Sequence, residues 1–386
     1  MRVGTLGVLA LAVILGVGAR ADEPSFARGL PQRPDFFPIA VWLQSPQNAQ
    51  KYKDIGVNVY VGLWRGPTTE QLDALDAAGM LVFSGFGNRA LQFVDRPTIV
   101  GWLQNDEPDN AQSLGEGKGY GPPITPEKVV ERYQEIRRSD PSRPVLLNLG
   151  QGVAWDGWYG RGTRTNHPED YPKYVDGGDI VSFDIYPACH DNEAIAGNLW
   201  YVPFGVDRLK KWAGETKPVW CCIETTGIGN VERKATPAEI RAEVWMALIH
   251  GAKGIIYFCH QFQPTFIEAG LLADEAVARE VGSINRQIHE LAPVLNSADA
   301  EPATIVESSS KDVPISVMTK SHDGSTYVFA VSLRRGETTA KFQLPEKADG
   351  EIEVLGEDRS LDARGGAWSD RFEGYQVHLY RIKPGQ

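Results

Sequence analysis

The sequence predicts a (β/α)8 barrel followed by a small antiparallel β-sandwich, and three observations lead to this fold class. Eight β-rich apolar runs alternate with helical patterns between Phe37 and Pro293. No Gly-rich phosphate-binding fingerprint follows the first run, which favours a closed barrel over the alternative of a doubly wound sheet. After about Ala298, short strand patterns separated by Asp-Gly, Gly-rich and charged turns replace the alternation.

Several of the predicted strands are nearly continuous apolar runs, as expected of parallel strands that are covered on both faces. The predicted strands are Pro38–Leu43, Val57–Trp64, Leu81–Gly85, Ile99–Gln104, Val145–Leu149, Ile180–Ile185, Val219–Ile223 and Gly254–Phe258. The clearest helical patterns are Thr69–Ala78, Pro126–Ser139, Val206–Ala213, Pro237–His250 and Glu275–Leu291. Thr125 and Thr236 each precede a proline, a pattern typical of an N-cap followed by Pro at the first helical position.

The chain length of 386 residues fits a barrel of about 250 residues with an added module of under about 100. We expect a signal peptide at 1–21, the barrel at 22–297 and the β-sandwich domain at 298–386. The strands predicted for this last domain are Thr304–Glu307, Ile315–Lys320, Tyr327–Leu333, Ala340–Leu344, Ile352–Leu355 and Tyr375–Ile382.

The N-terminus has the pattern of a secretory signal peptide. Arg2 precedes an apolar run from Leu6 to Val17, and the small-residue segment Ala19-Arg20-Ala21 forms an A-x-A cleavage site. Because the run is shorter than the about 20 residues of a transmembrane span, the alternative of a retained membrane anchor is disfavoured. We therefore expect a secreted or periplasmic protein that begins near Asp22 and has no stable membrane insertion after cleavage.

Charge and cysteine spacing exclude several classes of partner. The net charge of -11 argues against nucleic acid or an anionic membrane, both of which need a basic surface. Cys221 and Cys222 are adjacent in an apolar run and point to opposite faces, and no cysteine pair has zinc-finger spacing. We expect buried free thiols, with at most one bridge among Cys189, Cys222 and Cys259, and we expect neither a metal site nor a cofactor.

Two glutamates stand at the ends of opposite predicted strands. Glu107 follows the fourth strand, and Glu224 follows the seventh. A carboxylate that ends an apolar strand is costly to bury unless it is paired or faces a cleft. Barrel enzymes carry their catalytic groups at these strand ends, and glycosidic bond cleavage uses two carboxyl groups. The sequence therefore predicts that Glu107 and Glu224 are catalytic and meet in one pocket.

Several short motifs resemble those of clan A glycoside hydrolases, which are retaining (β/α)8 enzymes. Asp106-Glu107-Pro108 is similar to the clan's Asn-Glu-Pro signature, and the Pro-Val-Trp run ending at Glu224 resembles its nucleophile strand. The segment Ser182–Pro187 resembles the clan's sixth strand, and Gly374–Tyr380 resembles the last strand of the β-domain that often follows these barrels. The likeness extends from Phe36 to the C-terminus.

The resemblance implies that Glu107 is the acid/base, that Glu224 is the nucleophile and that Tyr186 orients Glu224. One position departs from the clan, where the residue before the acid/base is an Asn that contacts the sugar 2-hydroxyl. This chain has Asp106 there and Asn105 one position earlier. The departure puts the 2-hydroxyl contact in question, and it suggests that the Asp106 charge raises the pKa of Glu107.

Aromatic and polar residues near the strand ends are the candidate sugar contacts, because sugar sites combine aromatic platforms with polar rims. The aromatic loop Ala154–Arg161 is the best single candidate, and His260 ends the eighth strand. The predicted substrate-binding residues are Asp106, Tyr186, His260, Trp42, Trp64, Asn148, Trp155 and Trp158.

The predicted function is a retaining glycoside hydrolase that cleaves a β-linked oligo- or polysaccharide with two glutamates and no cofactor. Two alternatives stay open. The first is a carbohydrate-binding barrel protein without activity, which the Asp106 departure would explain. The second is an inverting barrel glycosidase that uses Asp184, and the separation of the carboxyl groups distinguishes it from a retaining enzyme.

Overall fold

The computed structural model describes residues 26–214, 216–346 and 349–383. The predicted signal peptide, residues 1–21, lies outside the described residues. The described residues form a closed barrel of parallel strands, followed by two antiparallel sheets. The predicted fold class is confirmed.

The barrel strands run in chain order around the barrel, and the last pairs with the first. They are β1 (Ile39–Trp42), β2 (Val59–Val61), β3 (Leu81–Gly85), β4 (Ile99–Leu103), β5 (Val145–Leu149), β6 (Ile180–Phe183), β7 (Val219–Glu224) and β8 (Gly254–Phe258). The helices are α1 (Ala49–Asp54), α2 (Thr69–Ala78), α3 (Asn88–Leu91), α4 (Pro126–Ser139), α5 (Tyr171–Tyr174), α6 (Tyr201–Ala213), α7 (Pro237–Ile249), α8 (Gly270–Ala273) and α9 (Glu275–Leu295). Short 3-10 helices lie at Pro46–Asn48, Gln151–Val153, Tyr159–Arg164, Pro168–Asp170 and Val175–Gly177.

The barrel interior is filled with side chains, and two glycines make room for the largest of them. Phe83 and Trp220 meet edge to face inside the barrel, with ring centroids 5.5 Å apart. A β-carbon at Gly101 would lie 2.1 Å from the Phe83 ring, and one at Gly254 would lie 2.5 Å from the Trp220 ring. The barrel is therefore a packed core, and ligands can enter only at its ends.

Local sequence signals set the helix boundaries. Thr68 and Thr236 each form a capping box, in which the threonine hydroxyl accepts from the backbone three residues on, and the Gln71 or Glu239 side chain accepts from the threonine N–H. Gly79 ends α2 in the left-handed conformation, with φ of 63°.

The C-terminal strands form a sandwich of two facing sheets. They are β9 (Ile305–Ser308), β10 (Ile315–His322), β11 (Ser325–Ser332), β12 (Thr338–Gln343), β13 (Gly350–Val354), β14 (Arg359–Ala363), β15 (Ala367–Phe372) and β16 (Val377–Ile382). The sheet orders are β10-β11-β16-β13-β14 and β15-β12-β9. Phe342 stacks on Trp368 and meets Tyr380 of the opposite sheet edge to face, which closes the sandwich core.

All four cysteines are buried free thiols, so the optional bridge among Cys189, Cys222 and Cys259 is not present. Among residues 26–214, 216–346 and 349–383, no group of three or more His, Cys, Asp or Glu side chains is placed to hold a metal ion. Over the same ranges, no helix combines the length and the apolar character that crossing a bilayer requires.

Candidate active site

A cavity of about 980 Å³ opens at the carboxyl ends of the barrel strands. It brings together most of the predicted site residues, namely Asp106, Glu107, Asn148, Tyr186, His260, Trp42, Trp64 and Trp158. Other lining side chains include Gln44, Asp184, Cys222, Phe258, Phe262, Phe266 and Glu268. A volume near the upper end of the range for small-molecule sites suits a ligand larger than one sugar ring.

Glu107 is held in a strained and well-supported conformation just after β4. Its φ is 40°, a left-handed value that is uncommon for residues other than glycine and is found disproportionately at functional sites. Its backbone N–H donates to the Asn148 carbonyl at 3.1 Å, and Asn110 Nδ2 donates to Glu107 Oε2 at 2.9 Å. These bonds fix the carboxyl group at the cavity wall.

Asn110 also links Glu107 to an aromatic wall of the cavity. Asn110 Oδ1 accepts a hydrogen bond from Trp158 Nε1 at 2.8 Å, while the amide nitrogen of the same side chain serves Glu107. The two bonds fix the orientation of the Asn110 amide, because only its oxygen can accept. The catalytic candidate and the Trp158 ring are thus positioned by a single side chain.

Asp184, which follows β6, is the carboxyl group that contacts Glu107. The two carboxyl groups lie close enough for each to act on the pKa of the other. Burial, together with repulsion from Asp184 and Asp106, raises the pKa of Glu107 well above its usual value. Burial raises the pKa of Asp184 to about 7, although its interaction with the nearby Glu107 carboxyl opposes that rise. Glu107, whose pKa is raised well above its usual value, is therefore the group that keeps its proton.

Asp106 stands on the other side of Glu107. Burial raises the pKa of Asp106 to about 6, although a hydrogen bond from Asn148 Nδ2 at 3.0 Å favours its ionised form. Asn148 Oδ1 accepts from Ser182 Oγ at 2.7 Å, so its amide nitrogen must face Asp106. A negative charge on Asp106 is among the causes of the raised pKa of Glu107, as the sequence suggested.

Glu224 is not in the cavity, which corrects the expectation that the two glutamates meet there. Its side chain has 0% exposure. Its Oε1 accepts from Ala188 N at 2.6 Å, and its Oε2 accepts from Cys189 N at 2.8 Å. The carboxylate is therefore bound by the backbone of the loop after β6. The residue of β7 that lines the cavity is Cys222.

The partner of Glu224 is another buried carboxyl group, Glu243 of α7. Burial raises the pKa of Glu224 to about 7, although hydrogen bonds from Cys189, Ala188 and Glu243 oppose that rise. Burial and repulsion from Glu224 raise the pKa of Glu243 well above its usual value. Glu243 therefore keeps its proton beside Glu224. The two backbone hydrogen bonds tie the Glu224 side chain to the loop after β6.

Tyr186 lies beside Asp184 and not beside Glu224. Its hydroxyl has no hydrogen-bond partner among the described residues, and burial raises its pKa well above the usual value, so it stays protonated. The nearby hydroxyl favours the ionised form of Asp184 without reaching hydrogen-bond geometry. The predicted orienting role toward Glu224 is not supported by this placement.

His260 faces the cavity as a neutral ring. Burial lowers its pKa. Its Nε2 lies 3.4 Å from Gln44 Nε2, which also donates to the Glu268 carbonyl at 3.0 Å, whereas Gln44 Oε1 accepts from the Tyr52 hydroxyl. An amide nitrogen cannot accept a hydrogen bond, so His260 Nε2 is the unprotonated ring nitrogen and Nδ1 carries the proton.

Trp155 is the other predicted site residue that does not line the cavity. It packs behind Trp158, with ring centroids 5.9 Å apart, and meets His190 edge to face at 5.7 Å.

Sequence reasoning missed Gln44, Phe266 and Glu268 as cavity residues. Gln44 follows the end of β1 by two residues, so reading one position further along that strand would have found it, whereas nothing local marks Phe266.

Comparison with known proteins agrees with this architecture. Residues 125–297 match the family model for glycoside hydrolase family 42, described as β-galactosidase. The matched segment contains Asp184 and Glu224 but not Glu107. No curated protein matches the chain.

Solved structures share the fold at very low sequence identity. A family 42 β-galactosidase from G. stearothermophilus superposes with a TM-score of 0.60 at 9% identity, over 94% of this chain and 100% of the other. A chain described as an α-galactosidase from Bacteroides fragilis gives 0.55 at 10% identity, over 91% and 80%. A maltogenic α-amylase from Thermotoga neapolitana gives 0.51 at 7% identity, over 91% and 99%.

These identities show the fold alone, and the family match adds the activity. The family match over residues 125–297 supports a glycosidase whose substrate is a carbohydrate.

Proposed function

We propose that this glycosidase cleaves a β-linked oligosaccharide with Glu107 as the acid/base and Asp184 as the nucleophile. The observation that carries the proposal is the proximity of these two carboxyl groups in one cavity at the strand ends of the barrel. The raised pKa of Glu107 suits an acid that must enter protonated, whereas the pKa of Asp184, at about 7, leaves that group partly ionised near neutral pH.

The bound substrate would separate the two carboxyl groups, with its glycosidic bond between them. The Asp184 carboxylate attacks the anomeric carbon, the bond to the leaving oxygen breaks, and that oxygen takes the proton of Glu107. In the second step Glu107, now ionised, removes a proton from water, the water oxygen attacks the anomeric carbon, and Asp184 is released.

The contact between Glu107 and Asp184 supports retention and not inversion. An inverting enzyme keeps its carboxyl groups about 6.5–9.5 Å apart to admit a water molecule, whereas a retaining pair stands about 5–5.5 Å apart. Neighbouring carboxyl groups that act on each other's pKa need only a modest opening to reach the shorter spacing. The inverting alternative that uses Asp184 would require a larger movement of both strand ends.

The assignment of the nucleophile to Asp184 replaces the expectation that Glu224 performs this step. Glu224 has 0% exposure and both of its oxygens accept from backbone N–H groups. To reach a sugar it would have to release both bonds. For the substrate, the family description makes β-galactosides the first class to assay.

Steady-state kinetics on aryl β-glycosides and β-linked oligosaccharides test the proposal. We expect Glu107→Gln and Asp184→Asn each to lower kcat by about 10²–10⁴-fold or more. Glu116→Gln, which changes an exposed loop carboxylate, is the matched control and should leave the kinetics unchanged. Failure of the wild-type protein to hydrolyse any member of the panel would contradict the proposal and favour a binding protein.

The N-terminal pattern of Arg2, an apolar run and Ala19-Arg20-Ala21 supports export of this enzyme. We propose that it acts outside the cytoplasm, either secreted or in the periplasm. N-terminal sequencing of the mature protein should give Asp22, and a product that begins at Met1 would contradict this.

A further inference from the structure

A row of aromatic side chains leads from the catalytic pair to the rim of the cavity. Tyr186, beside Asp184, has its ring centroid 5.2 Å from that of Phe258, and Phe258 lies 6.2 Å from Phe262. Phe262 lies 5.9 Å from Phe266. All four line the same cavity. The row therefore connects the reacting centre to solvent along the β8 side of the barrel.

The outer members of the row are unusually exposed for their size. Phe262 is 46% exposed and Phe266 is 59% exposed, and Trp64 lines the same cavity from the loop after β2 with 69% exposure. Isolated exposed aromatics need no explanation, but apolar surface that is continuous with a functional cavity marks a binding surface. Burying it against a ligand is favourable in proportion to the apolar area that leaves water.

The loop that carries the two phenylalanines is held in place by hydrogen bonds. Gln261 and Ile267 exchange both backbone hydrogen bonds at 2.9 Å, and Phe262 N donates to the Ile228 carbonyl at 2.6 Å. His260 lies under both rings, with centroids 6.0 Å from Phe262 and 6.1 Å from Phe266. A preformed platform loses little conformational entropy when a ligand binds.

Polar groups lie along the same side of the cavity. Gln44, Gln47 and Glu268 line it between the aromatic row and β1. Apolar ring faces beside hydroxyl-binding groups match the chemistry of a pyranose, which has apolar C–H faces and a polar edge. Gln44 is already bonded to Tyr52 and Glu268, so Gln47 and Glu268 are the side chains that can bond a ligand on this side.

We propose that Phe258, Phe262 and Phe266, with Trp64 across the cavity, form a binding row for several consecutive sugar units. This inference rests on the proposed function and extends it, because the row makes chain length a feature that the enzyme selects. The substrate is then an oligosaccharide or the end of a polysaccharide, and a single sugar on a small aglycone uses only the inner part of the site.

The test compares a short and a long substrate in one double variant. Phe262→Ala/Phe266→Ala should lower kcat/KM for a β-linked oligosaccharide of four or more units at least tenfold more than kcat/KM for the p-nitrophenyl glycoside of the same sugar. Tyr120→Ala, which removes an aromatic ring that is 75% exposed but lies outside the cavity, is the control and should leave the ratio unchanged.

Binding measurements separate this inference from the proposed function. Calorimetric titration of Glu107→Gln with β-linked galacto-, gluco-, manno- and xylo-oligosaccharides should show affinity that rises with chain length and falls in the Phe262→Ala/Phe266→Ala background. Absence of binding to every oligosaccharide would overturn the proposed binding row. An equal loss of kcat/KM on short and long substrates in the double variant would also overturn it. Wild-type turnover decides the proposed function independently, since it does not require any preference for length.

Discussion

Burial and mutual repulsion set the protonation of the carboxyl groups around Glu107. Asp184 and Asp106 line the same cavity as Glu107 and repel its negative charge, so ionisation of one of these carboxyl groups disfavours ionisation of the others. Because titrations of such groups are coupled, pH–rate profiles will report values for the cluster and not for a single side chain.

The residue before the acid/base offers a test at this scale. A charge on Asp106 raises the pKa of Glu107, so Asp106→Asn should lower that pKa. Since Glu107 acts in its protonated form, the basic limb of the kcat/KM profile should move to lower pH. Glu116→Gln is again the control, and an unchanged basic limb in Asp106→Asn would contradict the electrostatic role of Asp106.

The loop between β5 and the 3-10 helix that follows positions the acid/base, and Gly150 is its tightest point. A β-carbon at Gly150 would lie 2.8 Å from Asn110 Nδ2 and 3.0 Å from Glu107 Oε1. The Gly150 backbone has a φ of -84°, which alanine adopts readily. An alanine at this position would therefore displace the side chains of Asn110 and Glu107, and it would not strain the backbone.

Gly150→Ala should accordingly lower kcat by about tenfold to a hundredfold while the melting temperature stays close to that of the wild type. Gly87→Ala is the matched control, because a β-carbon there has no neighbour within 4 Å and the extended φ of 169° suits any residue. Equal kinetics for the two variants would contradict the positioning of Glu107 by this close contact.

The joint between β7, the loop after β6 and α7 depends on the Glu224–Glu243 pair. Glu224→Ala would leave the buried Ala188 and Cys189 N–H groups without acceptors. We expect a loss of about 2–4 kcal/mol in the free energy of unfolding, measured by urea denaturation at pH 7.

Glu243→Gln is the contrasting change in the same pair. Glutamine has the size and the neutral charge of a protonated Glu243, so the free energy of unfolding should stay within about 1 kcal/mol of the wild type. If this variant were as unstable as Glu224→Ala, the protonated state assigned to Glu243 would be wrong.

At the scale of the whole molecule, the buried carboxyl groups make stability depend on pH. The pKa values of Glu107, Asp184, Glu224 and Glu243 are raised in the folded state, mainly by burial. The folded state then binds more protons than the unfolded chain, so their stabilising effect is complete below the unfolded values near pH 4 and is lost as pH rises through about 7.

The melting temperature should therefore be several degrees higher at pH 5 than at pH 8. In Glu243→Gln this difference should be smaller, because one of the raised groups no longer titrates. A melting temperature that rises from pH 5 to pH 8 would contradict the burial of these groups.

A cavity of about 1160 Å³ between the barrel helices and the β-sandwich is larger than the one that holds the carboxyl pair. It is lined mainly by charged and polar side chains of α7, α9 and the sandwich, and none of the predicted site residues reaches it. The size of a cavity alone therefore does not identify the active site. The carboxyl ends of the barrel strands do, because barrel enzymes carry their catalytic groups there.

Local patterns predicted the fold well because each barrel strand and helix carries its own signal. Thr69–Ala78, Pro126–Ser139 and Val145–Leu149 have the predicted bounds. The strands Arg359–Ala363 and Ala367–Phe372 were missed, since Gly and charged residues surround them and their burial depends on the facing sheet. Boundaries in the β-sandwich are thus set by long-range pairing.

The site was predicted less completely, for a reason visible at Glu224. Residues Trp220 and Cys222 of β7 face the barrel interior, and alternation alone would send Glu224 the same way. The N–H groups of Ala188 and Cys189 draw the carboxylate away, and these groups come from a loop 35 and 36 residues earlier. No local signal in the sequence of β7 shows that the Glu224 carboxylate binds these N–H groups and does not face the barrel interior.

Trapping of the glycosyl-enzyme intermediate with a 2-deoxy-2-fluoro β-glycoside, followed by peptide mass spectrometry, tests the central assignment most directly. The placement of Glu107 and Asp184 in one cavity predicts that the sugar is attached to the peptide containing Asp184. Attachment to Glu224 would contradict it, because that carboxylate would then have to leave its bonds with the loop after β6 in order to act.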